Sequence, residues 1–92
     1  MLLNRPNGDR FIFMNTFEGL EAALATQIKV ELVERSMDQK DLAEAVGIER
    51  ATLNRYMNGK RSMPMPTFFA VAEVFGISPR VLMERAEARL AR

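Results

Sequence analysis

Between positions 50 and 61 of this 92-residue chain stand Arg50, Arg55, Lys60 and Arg61, with no acidic residue among them and with Asn54 and Asn58 interleaved. Each of these residue types has a defined chemistry. A guanidinium is a planar fork that donates paired hydrogen bonds to a phosphate or to the O6 and N7 acceptors of guanine. A carboxamide donates and accepts side by side, which matches the N6 and N7 edge of adenine. A lysine ammonium acts as a point charge on phosphate. The set points to a polyanion partner, some of whose bases are read.

The net charge of only +1 conceals how the charge is laid out. Residues 1–49 carry five basic and nine acidic side chains, a balance of −4, whereas residues 50–61 carry +4 and residues 62–92 carry +1. The positive field is therefore focused on one short stretch. Cysteine and histidine are both absent, which removes disulfides, cysteine/histidine zinc sites, thiol nucleophiles and the commonest general base. Three serines without a histidine make no triad, and the carboxylates are expected on outer helix faces. Neither enzymatic activity nor a metal, cofactor or small-molecule ligand is expected. Among the seven methionines, Met63 and Met65 alternate with Pro64 and Pro66 and the others are scattered, so they read as gap-fillers. Met1 to Asp9 has only Leu2-Leu3 before polar residues, unlike a signal peptide, and no run approaches ~20 apolar residues. A cytoplasmic location is expected.

The elements that must position the cationic stretch follow from periodicity. Phe17, Leu20, Leu24, Ile28 and Leu32 recur at steps of three and four, predicting a first helix roughly from Thr16 to Arg35, with Asn15 and Glu18 as a capping box. Residues 1–16 lack that period. They contain Pro6-Asn7-Gly8-Asp9 and the apolar run Phe11-Ile12-Phe13-Met14, which reads as an N-terminal arm or a short added strand before a domain spanning 17–92. Four shorter helices follow. Asp38 caps the second, which ends at Gly47; Glu49 starts the third, which ends at Asn58-Gly59. The fourth opens after Pro64 and ends at Gly76, and Ser78-Pro79 opens the fifth. Phe68, Phe69 and Phe75 read as the centre of an all-α core.

From Gln39 to Tyr56 the spacing is that of two helices crossing through a tight turn. Leu42, Val46, Ile48, Leu53 and Tyr56 are apolar, Ala43 is small enough for a close crossing, and Gly47 supplies the positive φ of the bend. Gln39 to Ile48, then Thr52-Leu53, then Asn58-Gly59-Lys60-Arg61 resemble the phage repressor and Cro-like (XRE) helix-turn-helix family, and the likeness runs roughly from Ile28 to Leu82. It includes Thr67-Phe68-Phe69, Val71-Ala72 and Phe75-Gly76-Ile77-Ser78. The resemblance implies a five-helix DNA-binding domain that usually acts as a dimer, with Gln39 and the Asn-Gly-Lys turn approaching the DNA backbone. The departures are the N-terminal extension, the long first helix, and Glu49 where the family often has serine or threonine.

A rotation of about 100° per residue decides which side chains face outward on the third helix. With Leu53 and Tyr56 inward, Arg50, Ala51, Asn54 and Arg55 are the base-reading candidates, and Gln39, Thr52, Asn58, Lys60 and Arg61 are phosphate contacts around the rim. So short a chain buries only about 60–65% of its unfolded surface, which favours a homodimer. The Leu82, Ala86, Leu90 stripe of the fifth helix packs either on the domain or on a second subunit, and it and the Phe11-Ile12-Phe13 segment are the candidates for the interface. The leading expectation is a small phage-type repressor acting as a dimer on double-stranded DNA at an inverted repeat. The second is an antitoxin-type protein that binds DNA with the same fold and neutralises a partner toxin with another surface.

Overall fold

A computed structural model describes the backbone of residues 5–90 and the side chains of residues 19–90. Within that span lie five helices and no strand: α1 (Arg5–Glu34), α2 (Gln39–Val46), α3 (Arg50–Met57), α4 (Met65–Phe75) and α5 (Pro79–Leu90). No single helix among the described residues is long and apolar enough to cross a membrane. Local chemistry sets most boundaries. The Asp41 N–H donates to the Asp38 carboxylate (2.8 Å) while the Asp41 carboxylate accepts from the Asp38 N–H (3.1 Å), a capping box that opens α2. Ser78 Oγ accepts from the Val81 N–H at 3.1 Å ahead of α5, and Pro66 falls in the first turn of α4, where a missing N–H is harmless. Glu49 departs from expectation. Its backbone is extended before α3, yet its carboxylate makes no cap hydrogen bond.

The largest correction concerns the N-terminus. Helix α1 begins at Arg5 rather than Thr16, so Phe11-Ile12-Phe13 lie on helical backbone and not in a strand, and Asn15 is inside the helix rather than at its cap. The side chains of Phe11, Ile12, Phe13 and Phe17 fall outside the described residues. Proline at position 6 is compatible with a first turn. Extending a helix already nucleated downstream costs far less than starting one, so the local turn signals are outvoted.

The core takes Ile28 and Leu32 from α1, Leu42 and Ala43 from α2, Leu53 and Met57 from α3, Phe68, Val71, Ala72 and Phe75 from α4, and Leu82 from α5. Phe69, expected at its centre, is instead 48% exposed. One step along a helix turns a side chain by about 100°, so Phe68 and Phe69 cannot share an inward direction. Leu82 and Ala86 are fully buried in the chain's own core, which corrects their candidacy as a dimer surface. Only Leu90 of that stripe keeps exposure, 41%, and a Cβ placed on Gly19 of α1 would lie 3.3 Å from its Cδ2. The stripe therefore packs largely on α1.

A second stripe of α1, Ala23, Gln27 and Glu31, is also buried. This overturns the expectation that the carboxylates lie on outer faces, since Glu31 is completely enclosed. Its carboxylate accepts from Arg35 (2.6 Å), Arg85 of α5 (2.7 Å) and Gln27 (2.8 Å), and Gln27 in turn accepts from Arg89 (2.7 Å). Arg35 also donates to the Phe75 carbonyl at the end of α4 (2.9 and 3.3 Å) and lies 4.8 Å over the Phe75 ring. Burial by itself pushes the Glu31 carboxyl upward, but the hydrogen bonds from Arg85, Gln27 and Arg35 outweigh it and hold the pKa below the ordinary value. Among the described residues no buried side-chain nitrogen or oxygen lacks a partner.

The junction of α2 and α3 is equally constrained. Gly47 has φ 89°, and its N–H and that of Ile48 both donate to the Ala43 carbonyl (2.8 and 3.0 Å). Nothing crowds a Cβ at Gly47, so the backbone angle alone requires glycine. Ala43 is 2% exposed.

Two measurements probe these contacts. Ala43→Leu should overpack the junction and cost ~1–3 kcal/mol, read as a lower Tm; an unchanged Tm would show that the site has room. Because the Glu31 pKa is lowered on folding, its contribution is complete above the ordinary glutamate value of about 4.3 and is lost as pH falls through the folded value. Asp38, also lowered, acts in the same direction and is present in both proteins compared. The Tm of the parent should therefore drop more steeply between about pH 5 and about pH 3 than that of Glu31→Gln, and equal slopes would remove Glu31 from the account.

Candidate nucleic-acid interface

Helix α3 has only eight residues, too few to be stable alone, so its orientation comes from packing. Leu53 and Met57 are its buried side chains, one turn apart, with Tyr56 half-buried beside them. Tyr56 packs against the core as expected, and Met57 joins Leu53 as the more deeply buried anchor. The i, i+4 relation to Leu53 was visible in the spacing, but the aromatic residue drew the assignment.

The opposite face is polar and cationic. Arg50, Ala51, Asn54 and Arg55 are all exposed, and together they line one shallow, open depression. The structure thus brings together the four residues that helical rotation had placed outward. Ala51 contributes only a methyl group to that lining.

Beyond α3 the chain turns through Gly59 at φ 75°, and the Lys60 and Arg61 N–H groups donate to the Arg55 carbonyl (2.9 and 3.3 Å). That arrangement closes the helix and fixes both cations at its end, exposed. Asn58 is exposed too, and its Nδ2 donates to Asn54 Oδ1. Gln39 at the start of α2 and Thr52 on the flank of α3 are half-buried. None of the ion pairs among the described residues involves Arg50, Arg55, Lys60 or Arg61.

Asp38 is the acid nearest in effect to this surface. The Asp41 N–H it caps holds its carboxyl below the ordinary value, with the charges of Arg50 and Lys40 adding to that shift. It stays ionised and offsets part of the Arg50 charge.

A second concavity runs between α1 and the α3–α4 turn, lined among others by Lys29, Thr26, Tyr56, Arg61 and Ser62. Its acid, Glu21, accepts from Ser62 Oγ at 2.7 Å. Lys29 therefore joins the cationic surface from a helix that the linear charge pattern did not implicate. A surface charge on α1 carries no local sign of its distance to α3, so only folding could reveal it. No group of three acidic, histidine or cysteine side chains that could hold a metal ion exists among the described residues.

Comparison with known proteins agrees with this geometry. The crystal structure of the clp gene regulator ClgR from Corynebacterium glutamicum is similar in fold, with a TM-score of 0.73 at 19% sequence identity over 78% of this chain and 77% of that one. Among curated protein sequences no match is found. A family model described as helix-turn-helix matches residues 28–82, from the buried part of α1 to Leu82 of α5. With more than half of its residues so matched and its second and third helices joined through Gly47 as that motif requires, the chain belongs to the XRE-type helix-turn-helix family of DNA-binding proteins.

Proposed function

We propose that the protein is a sequence-specific transcriptional regulator, a small repressor whose α3 enters the major groove of double-stranded DNA. The observation that carries this reading is the open depression lined by Arg50, Ala51, Asn54 and Arg55, set directly before the exposed cations Lys60 and Arg61. A forked donor, a methyl and a carboxamide are the groups that distinguish base pairs in that groove. In this reading Lys60, Arg61, Gln39 and Thr52 serve as backbone contacts that set register. The clp gene regulator with the same fold supports the regulatory role.

The regulator acts in this reading as a two-fold dimer, its recognition helices ~34 Å apart on an inverted repeat. One module of this kind buries only ~600–1,000 Å² on DNA, and symmetry doubles the contact. Leu90 remains an interface candidate, exposed at the end of α5, and so does the Phe11-Ile12-Phe13 segment.

Selection of bound sequences from a random DNA pool at stated salt tests the reading. An inverted repeat with half-sites one helical turn apart is expected, together with a dimer in sedimentation that is weakened by Leu90→Ser or by deletion of residues 1–14. A monomer that selects one asymmetric half-site would overturn the dimer, and no enrichment would overturn the DNA reading altogether. Within the enriched site, Arg55→Ala should cost ~1–3 kcal/mol and relax preference at one base pair, whereas Lys60→Ala should weaken all sequences alike and reduce the salt slope by ~1. Equal losses on specific and random DNA for Arg55→Ala would move Arg55 to the phosphates.

A further inference from the structure

Asn54 and Asn58 occupy i and i+4 on α3, and the two are tied twice. The Asn58 N–H donates to the Asn54 carbonyl at 2.9 Å, and the Asn58 side-chain Nδ2 donates to Asn54 Oδ1. An exposed asparagine ordinarily samples several rotamers and both amide orientations. Here the second bond couples the two carboxamides: turning the Asn54 amide over alone would set its NH₂ against the NH₂ of Asn58, so the Asn54 side chain is held to the rotamer and orientation that Asn58 meets.

What remains free on Asn54 matters for readout. A carboxamide oxygen has two lone pairs, of which Asn58 occupies one. The other lone pair and both Nδ2 hydrogens are not used by Asn58, and they are the adjacent acceptor and donor pair that an adenine edge requires. Asn54 also lines the depression between Arg50, Ala51 and Arg55, while Asn58 does not. Asn58 instead borders the groove shared with Lys29 and Arg61.

From this geometry we infer that Asn58 is a positioning residue for base recognition: it locks the Asn54 carboxamide so that its bidentate edge is presented to an adenine, rather than serving chiefly as a phosphate contact. The inference rests on the reading of α3 as the base-reading helix. Holding the amide before the encounter lowers the ordering cost of binding, and it does so only at the base pair that Asn54 meets. A phosphate contact would instead act on every sequence alike.

The test uses the full chain and measures relative affinity for all four base pairs at each position of the selected site. Parent protein, Asn54→Ala, Asn58→Ala and the double variant are compared. Asn54→Ala should reduce the preference for adenine at one position by about 5- to 100-fold, the range of one bidentate contact. Asn58→Ala should reduce it at that same position by about 3- to 10-fold, and the double variant should lose no more than Asn54→Ala alone, as expected of residues acting as a unit. Asn58→Gly removes the amide while suiting a helix end and substitutes if Asn58→Ala fails to fold. An Asn58 variant that weakens every sequence equally and leaves the preference at that position intact overturns the positioning role. A preference for guanine at the Asn54 position would also overturn it, while leaving the base-reading function of α3 in place. Failure of the parent to select any sequence would overturn both.

Discussion

A single buried carboxylate holds this small domain in register. Glu31 sits inside α1 with no solvent contact, and burial at that depth is unfavourable for a charge unless donors surround it. Three side chains do so, from its own helix and from α5. The arrangement is asymmetric in a useful way. Arg35 and Arg85 remain partly exposed, at 26% and 44%, and would rehydrate if Glu31 were removed, but Glu31 has no comparable escape if they are lost. Arg35 then extends the network to the last carbonyls of α4, where a cation also meets the negative end of a helix. Three helices are thus fixed by one anion.

The recognition surface depends on that frame without sharing its chemistry. No residue of α3 takes part in the Glu31 network. Helix α3 instead rests on α2 through the close crossing at Ala43 and on the common core through Leu53 and Met57. Two buried side chains orient this eight-residue helix against α2, whose ends are defined by its capping box and by Gly47. Separation of this kind lets the outward face of α3 vary while the frame is preserved.

Periodicity and caps made most of the frame legible beforehand. Asp38, Gly47, Gly76 and Ser78 signal helix ends through chemistry confined to a few residues, and each acts as its type predicts. The outward side chains of α3 were legible for the same reason, since rotation along a helix is a local rule. Failures occurred where the decisive partner lies far along the chain. Glu31 reads as a surface residue because Arg85 is more than fifty positions away. Leu82 and Ala86 read equally as an interface or as core, and only the seat on α1 decides for core. At the N-terminus, turn-rich and strand-like composition was overridden by the continuation of a long helix.

Net charge also acquires a different meaning once the partners are known. The chain has thirteen basic residues against twelve acidic ones, which on its own argues weakly for a polyanion. Arg35 and Arg85, however, are bound to Glu31, Arg89 to Gln27, and Arg80 approaches Glu84 at 3.9 Å, so several of the cations in the scaffold are spent internally. Among the described residues Arg55, Lys60 and Arg61 belong to no ion pair and are exposed in or just after α3, and Lys29 from α1 shares a concavity with Arg61. At physiological salt, charges more than about 8 Å away are largely screened, so a phosphate backbone responds to this local cluster rather than to the molecular total. A nearly neutral protein can therefore present a locally cationic surface, because folding pairs its charges selectively and, among the described residues, leaves those in and after α3 outside the ion pairs.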